Sequence, residues 1–124
     1  MVVDDEPAVR KLARVALERA GFSVEVAEHG AKALEMLERD PDEFGVILLD
    51  LTMPVMDGEE TFQAMRELRP GVRVLLSSGY NEQEATGRFA RRGLTGFLQK
   101  PYRARELVAA VRELFDSDGP PLST

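Results

Sequence analysis

The 124-residue chain contains no cysteine and a single histidine, and both scarcities limit the chemistry that it can perform. Without thiols, it can form neither a disulfide bond nor a metal site of thiolate ligands. With His29 as the only imidazole, a histidine-rich metal site and a serine–histidine–aspartate triad are both disfavoured. Any reactive site must therefore be built from other groups, such as carboxylates, hydroxyls and amines.

Basic residues and long apolar runs are also scarce. Lysine and arginine number 16 against 22 acids, which gives a net charge of -6. A nucleic-acid-binding domain would be expected to carry a basic face, so this class is disfavoured. No apolar run approaches the ~20 residues that cross a bilayer, and no signal peptide follows Met1. We therefore expect a soluble cytoplasmic domain.

Short apolar runs alternate with amphipathic stretches, and this pattern predicts five strands and five helices. The predicted strands cover residues 1–3, 22–27, 46–50, 72–77 and 95–99. A helix follows each strand, and the weakest helical pattern lies over 82–92. Strict alternation predicts a parallel sheet with helices on both faces. Residues 117–124 contain Gly-Pro-Pro and are predicted to form a tail or linker, so the domain is expected over 1–116.

The carboxyl ends of the predicted strands carry the reactive groups. The run from Val46 to Leu49 has no polar gap, which indicates a strand that is buried on both faces and ends on Asp50. Ligands of parallel sheets sit beyond the carboxyl ends of the strands. Three other strand ends carry polar groups: Asp4 and Asp5 on the first, Ser77 and Ser78 on the fourth, and Lys100 on the fifth.

If the first and third strands are neighbours, three carboxylates converge. At ~4 Å and an effective dielectric constant near 20, each like-charge pair costs about 4 kcal/mol. A cation would offset this repulsion, and oxygen ligands without sulfur or imidazole favour a hard ion. The chain has no dedicated calcium loop and too few carboxylates for a calcium cage. We therefore predict a Mg²⁺ site made by Asp4, Asp5 and Asp50.

A divalent ion beside an aspartate, a lysine and a hydroxyl suits phosphoryl transfer, which depends mainly on positioning and charge neutralisation. Carboxylates can accept phosphate covalently, and Asp50 is the candidate nucleophile. Its attack on a phosphoryl donor would give an acyl phosphate. Mg²⁺ and Lys100 would hold the phosphoryl oxygens, and Ser78 would hydrogen-bond one of them.

Each of these motifs also has a simpler interpretation. Acids before a helix often serve only in capping and dipole matching, and Asp50 alone could cap a short turn. Ser-Ser-Gly and Lys-Pro are common in loops and turns. None of these interpretations explains why four strand ends carry complementary chemistry in one chain.

Taken together, these residues resemble the receiver domain of two-component response regulators over nearly all of 1–116. The resemblance implies an α/β fold of the flavodoxin-like (βα)₅ type, with a parallel five-stranded sheet in the order 2-1-3-4-5. Its landmarks are Val2-Val3-Asp4-Asp5-Glu6, the segment from Leu48 to Gly58, Ser77-Ser78-Gly79-Tyr80, and Gly96-Phe97-Leu98-Gln99-Lys100-Pro101.

The resemblance also implies a role for individual residues. Asp50 is the expected phosphoacceptor and Lys100 the phosphate-binding lysine, joined to Pro101 by a cis bond. Ser78, rather than Ser77, is the expected switch hydroxyl, and Phe97 lies at the aromatic switch position. The metal ligands are expected to be Asp4, Asp5 and Asp50, with the backbone carbonyl of Thr52.

The expected phosphodonor is a phosphohistidine on a sensor histidine kinase or on a histidine phosphotransfer domain. The isolated domain would catalyse only its own phosphorylation and dephosphorylation. Its landmarks and its Gly-Pro-Pro tail favour the C-terminal receiver of a hybrid sensor histidine kinase, and a stand-alone single-domain regulator is the alternative. A phosphate-independent binding module is a third possibility, and the complete set of Asp5, Asp50, Ser78 and Lys100 argues against it.

An aspartyl-phosphate hydrolase of the haloacid dehalogenase type is an alternative from another class. Such an enzyme would require a second aspartate two residues after the nucleophile, where this chain has Thr52. It would also want a cap domain or a longer core.

Overall fold

The computed structural model describes residues 1–40, 44–50, 58–79 and 95–115. These residues form one parallel sheet in the order β2-β1-β3-β4-β5, which confirms the expected flavodoxin-like topology. The strands are β1 (Val2–Val3), β2 (Val26–Ala27), β3 (Ile47–Asp50), β4 (Val74–Ser78) and β5 (Thr95–Gln99).

Four helices are present among the described residues, and each connects to the sheet as the alternation predicts. They are α1 (Pro7–Arg19), α2 (Gly30–Arg39), α3 (Gly58–Leu68) and α4 (Ala104–Phe115). Proline stands in the first turn of α1, where its missing N–H costs no helical hydrogen bond. Gly21 follows that helix with a φ of 99°, a conformation that glycine adopts without a steric penalty. The helix predicted over 82–92 and the tail at 117–124 lie outside the described residues.

The second strand is shorter than predicted. Its pairing begins at Val26 rather than at residue 22, because β2 is an edge strand and β1 is its one neighbour among the described strands. That neighbour consists of Val2 and Val3 and offers only two register partners. The length of β2 is therefore set by the strand beside it rather than by its own alternation pattern.

Side chains of the strands alternate between two apolar cores, one on each face of the sheet. One core contains Leu49 and Leu76 with side chains of α2 and α3, and the other contains Leu48 and Leu75 with side chains of α1 and α4. Burying each such side chain contributes about 1.5–3 kcal/mol. Because successive strand residues point to opposite faces, the alternation also fixes which way the polar residues at the strand ends point.

Candidate functional site

The sheet places two buried carboxylates next to each other. Strand β1 pairs with β3 so that Val3 lies beside Leu49, and Asp4 therefore emerges next to Asp50 at the carboxyl edge. Both residues are buried, whereas Asp5 is exposed. Carboxylate oxygens of Asp4, Asp5 and Asp50 lie within 4.8 Å of one another. The convergence expected from the sequence is thus present in the structure.

Lys100 joins this cluster from the other end of the chain. The end of β5 is held against β4 by a hydrogen bond from the Lys100 N–H to the Ser78 carbonyl, at 2.8 Å. From there the Nζ atom lies 2.8 Å from Oδ2 of Asp4 and 3.3 Å from Oδ2 of Asp50. The three side chains are 16%, 3% and 1% exposed, so both ion pairs are largely shielded from water.

The charge of Lys100 is stabilised by its surroundings. Burial lowers the pKa of the amine, but the hydrogen bond to Asp4 and the charges of Asp50 and Asp4 together outweigh this effect. The net result is a pKa above the ordinary lysine value, and the amine stays protonated at neutral pH. Lys100 therefore presents a permanent cation beside Asp50.

Local contacts hold Asp4 in place. Its Oδ1 atom accepts a hydrogen bond from the Glu6 N–H at 2.9 Å, and its carbonyl oxygen accepts one from Nη1 of Arg10 at 2.8 Å. Neither Glu6 nor Arg10 was identified from the sequence as part of the site. The available signals were a third consecutive acid and a basic residue in the first turns of the following helix.

The two serines at the end of β4 are both buried and point to opposite faces. Ser77 is the register partner of Asp50 and shares its face. Ser78 lies two residues beyond Leu76, the register partner of Phe97, so Ser78 and Phe97 lie on the other face. Phe97 is half-buried and packs against the core of α2 and α3. The structure thus brings Ser78 onto the face of the aromatic residue, as a switch pair requires.

Three further residues of the sequence analysis are Pro101, Thr52 and His29. The Lys100–Pro101 bond is cis, as the resemblance implied. Thr52 lies outside the described residues, so its carbonyl as a metal ligand stays a prediction. His29 caps α2, because its Nδ1 atom accepts a hydrogen bond from the Lys32 N–H at 3.1 Å.

The donor set fits a hard divalent cation. The three aspartates offer only carboxylate oxygens, the ligands that Mg²⁺ prefers. The three carboxylates carry a formal charge of -3, and the Lys100 ammonium that contacts two of them carries +1, so these four side chains together carry -2. Burial of Asp4 and Asp50 makes this excess charge costly without a further cation.

A pocket of about 290 Å³ opens beside the ion pairs. It is lined by Glu6, Val9, Leu12, Lys100, Pro101 and Tyr102. Leu12 also lines a larger groove, of about 870 Å³, between α1 and α4. Leu12 therefore connects the pocket that contains Lys100 to the groove, and most of the residues that line both are apolar.

Tyr102 lines the pocket beside Lys100 and was not identified from the sequence as part of the site. The residue is buried, and its hydroxyl has no hydrogen-bond partner among the described residues. Burial, followed by the charge of Asp4, raises the pKa of Tyr102 to about 12. The phenol is therefore protonated at any physiological pH.

Within the described residues, no helix is long and apolar enough to cross a membrane. A family model described as "Response regulator receiver domain" matches residues 1–112. It covers both carboxylate-bearing strand ends, Ser78, Phe97 and Lys100.

Individual relatives show the same likeness. The chain is 32% identical to the sensor kinase CckA of Brucella abortus over 94% of its own length, but spans only 12% of that protein. It is 28% identical to the chemotaxis protein CheY of Halobacterium salinarum, with 92% of this chain and 93% of that protein covered. Among solved structures, the chemotaxis protein CheY4 of Vibrio cholerae matches with a TM-score of 0.83 at 30% identity, covering 91% of this chain and 94% of the other.

Proposed function

The chain belongs to the response regulator receiver domains of two-component systems, and on that premise we propose that it accepts a phosphoryl group on Asp50. The observation that carries the proposal is the Lys100 amine, which contacts Asp4 and Asp50 at one buried edge. A buried aspartate beside a fixed cation and two further carboxylates is arranged for a reaction that brings in negative charge.

The reaction is the transfer of a phosphoryl group from a phosphohistidine. A carboxylate oxygen of Asp50 attacks phosphorus, and a new O–P bond forms. The P–N bond breaks, and its electron pair returns to the imidazole nitrogen of the donor. The product is an acyl phosphate on Asp50, which carries more negative charge than the carboxylate that it replaces.

Two groups of residues accommodate this charge. Lys100 is already within 3.3 Å of Asp50 and donates charge-assisted hydrogen bonds to the phosphoryl oxygens. Asp4, Asp5 and Asp50 would hold Mg²⁺, with the carbonyl of Thr52 as the proposed fourth protein ligand. When bound, the ion would neutralise the developing charge and order the phosphoryl oxygens.

We further propose that Ser78 and Phe97 transmit the change. The hydroxyl of Ser78 would donate a hydrogen bond to a phosphoryl oxygen, and Phe97 would repack on the face that the two residues share. The surface of β5 and α4, together with the helix expected over 82–92, would then change its preference for partners. Phosphate can shift this equilibrium only if it binds the active form better than the inactive form.

The phosphodonor partner is a sensor histidine kinase or a histidine phosphotransfer domain, and we place its docking surface on the groove between α1 and α4. Leu12 and Val15 expose their side chains there. Four basic residues surround them: Lys11, Arg19, Arg105 and Arg112. No acid is present among the described residues that line the groove. Because Leu12 also lines the pocket beside Lys100, a helix docked in the groove would bring its histidine to the acceptor.

The parent protein is a separate question. We propose the C-terminal receiver of a hybrid sensor histidine kinase, supported by the match to a sensor kinase that is much longer than this chain. A stand-alone regulator is the alternative, supported by the match to a CheY whose length the chain almost fully covers. Mass measurement of the native gene product with an antibody against this domain separates the two.

Phosphorylation by acetyl phosphate, read on a phosphate-affinity gel, tests the proposed function. With Mg²⁺ present, the native domain should give a slower band that is lost in Asp50→Asn and retained in Asp40→Asn. Asp40 is a matched control, because it is an exposed aspartate at the far end of α2. A shifted band in Asp50→Asn, or none in the native domain, would overturn the assignment.

A further inference from the structure

Glu6 occupies the N-cap position of α1 but does not cap the helix. Its backbone is extended, with φ of -90° and ψ of 116°, and its side chain makes no capping hydrogen bond in the structure described. Glutamate is not among the residues that favour this position for capping, so its carboxylate remains available for other contacts. Here Oε1 of Glu6 instead lies 3.3 Å from Nζ of Lys100.

The Lys100 amine thus has three carboxylate partners, and they differ in kind. Asp4 and Asp50 belong to the cluster of three aspartates that fits a metal ion. Glu6 lies outside that cluster, and its side chain is 60% exposed. It is the partner of Lys100 that a metal ion in the aspartate cluster would leave available.

We infer that Glu6 is a positioning residue: it holds the Lys100 amine at the edge of the aspartate cluster when a divalent cation occupies it. This inference rests on the proposed function, since it assumes that the cluster binds Mg²⁺. A cation held by Asp4 competes with the ammonium that now lies 2.8 Å from the same carboxylate. The two positive charges also repel each other, so the amine must move outward.

Glu6 is fixed in the place where the displaced amine needs a partner. Its N–H donates to Oδ1 of Asp4 at 2.9 Å, which ties the two acids together. Its carboxylate lines the open pocket on the solvent side of Lys100. An exposed ion pair contributes little to folding stability, so stability alone gives no reason for this contact. A role in keeping the Lys100 amine within reach of Asp50 does explain the contact.

A double-mutant cycle on Mg²⁺ affinity tests the inference. Mg²⁺ binding is measured by isothermal titration calorimetry in the native domain, Glu6→Gln, Lys100→Met and the double variant. Glu6→Gln should weaken Mg²⁺ binding about fivefold when Lys100 is present, a coupling typical of residues in contact. In the Lys100→Met background the same change should weaken binding less than about twofold.

Two variants serve as controls for the charge change. Glu18→Gln removes an exposed carboxylate from the other end of α1 and should leave Mg²⁺ affinity unchanged. Glu6→Asp keeps the charge and should restore part of the lost affinity. Equal weakening by Glu6→Gln with and without Lys100 would show that Glu6 acts only through its field, and would overturn the inference.

A second measurement keeps the test valid if Lys100→Met does not fold. The ¹⁵Nζ resonance of Lys100 is followed by NMR while Mg²⁺ is added. In the native domain the resonance should move to a new frequency, and the amine protons should still exchange slowly with water. In Glu6→Gln the resonance should broaden, because the amine protons exchange rapidly with water. Identical spectra of the two proteins with Mg²⁺ would contradict the inference.

Failure of the inference and failure of the proposed function give different results. If the native domain binds no Mg²⁺, both are wrong. If it binds Mg²⁺ and is phosphorylated on Asp50, but Glu6→Gln binds the ion as tightly as the native domain, only the role of Glu6 is wrong.

Discussion

Replacing Lys100 by methionine should destabilise the metal-free domain by about 3 kcal/mol, the lower end of the cost of breaking a buried ion pair. The amine lies 2.8 Å from Asp4 and 3.3 Å from Asp50. At an effective dielectric constant near 20, these gross attractions are about 6 and 5 kcal/mol. Desolvation of the charges offsets most of that sum, but the variant leaves two buried carboxylates without their cation.

Urea unfolding at pH 7 in the presence of a chelator, followed by far-UV circular dichroism, measures this loss. Lys11→Met is the matched control, because Lys11 is exposed on α1 and makes no ion pair among the described residues. Its effect should stay within about 0.5 kcal/mol. Adding Asp50→Asn to Lys100→Met should recover part of the stability, since it removes one of the two buried negative charges that Lys100 contacts in the native domain.

Two results would refute the reasoning about Lys100. One is a Lys100→Met domain as stable as the native domain in the absence of Mg²⁺. The other is an Asp50→Asn change that destabilises the Lys100→Met domain further. Either would mean that the cluster does not depend on the amine for charge compensation.

Three further predictions concern pH and packing. Because the pKa of Lys100 is raised on folding, its stabilising contribution should be constant up to the ordinary lysine value of about 10.4 and be lost only above it; the difference in unfolding free energy between native and Lys100→Met domains, measured from pH 7 upward, checks this. Tyr102→Phe removes a buried hydroxyl without a described partner, so its unfolding free energy should be unchanged or higher by up to about 1 kcal/mol. Between pH 10 and 12 the native domain should lose more stability than Tyr102→Phe, because its phenol ionises first in the unfolded state. Gly30→Ala would drive a Cβ into the buried Thr61 side chain and should cost about 1–3 kcal/mol in urea unfolding, whereas Gly71→Ala, with open space around its Cβ in the described structure, should be near neutral.

Each of these predictions has a contradicting outcome. A Lys100 contribution that stays constant or grows as the pH rises above about 10.4 would mean that the pKa is not raised. A Tyr102→Phe loss of more than about 1 kcal/mol would mean that the hydroxyl has a partner. A Gly30→Ala variant as stable as Gly71→Ala would show that Thr61 can move aside.

The location of the site at the carboxyl edge of the sheet could be predicted from the sequence, because the end of an apolar run marks the end of a strand. An apolar run that stops at Asp50, and another that stops before Lys100, place both residues at the same edge once the strands are parallel. The alternation of strand side chains then explains why Ser78, rather than Ser77, shares a face with Phe97. The shared edge follows from the order of strands and helices alone, whereas the choice of Ser78 over Ser77 came from the resemblance to receiver domains.

The roles of Glu6, Arg10 and Tyr102 could not be predicted in the same way. Each depends on the direction of a side chain that leaves a turn or the first residues of a helix, where no simple period applies. Glu6 has the sequence position of a cap, and only the coordinates show that it contacts Lys100. The length of β2 was missed for a similar reason, since its partner strand sets it.

The most direct test of the central claim is to find which residue carries the phosphoryl group. The native domain, loaded with Mg²⁺, is incubated with a phosphorylated histidine phosphotransfer domain, reduced with borohydride to trap the acyl phosphate, and mapped by tandem mass spectrometry. The account predicts a single reduced residue, at position 50. A trapped residue at any other position, or none while the donor loses its phosphate to the domain, would contradict it.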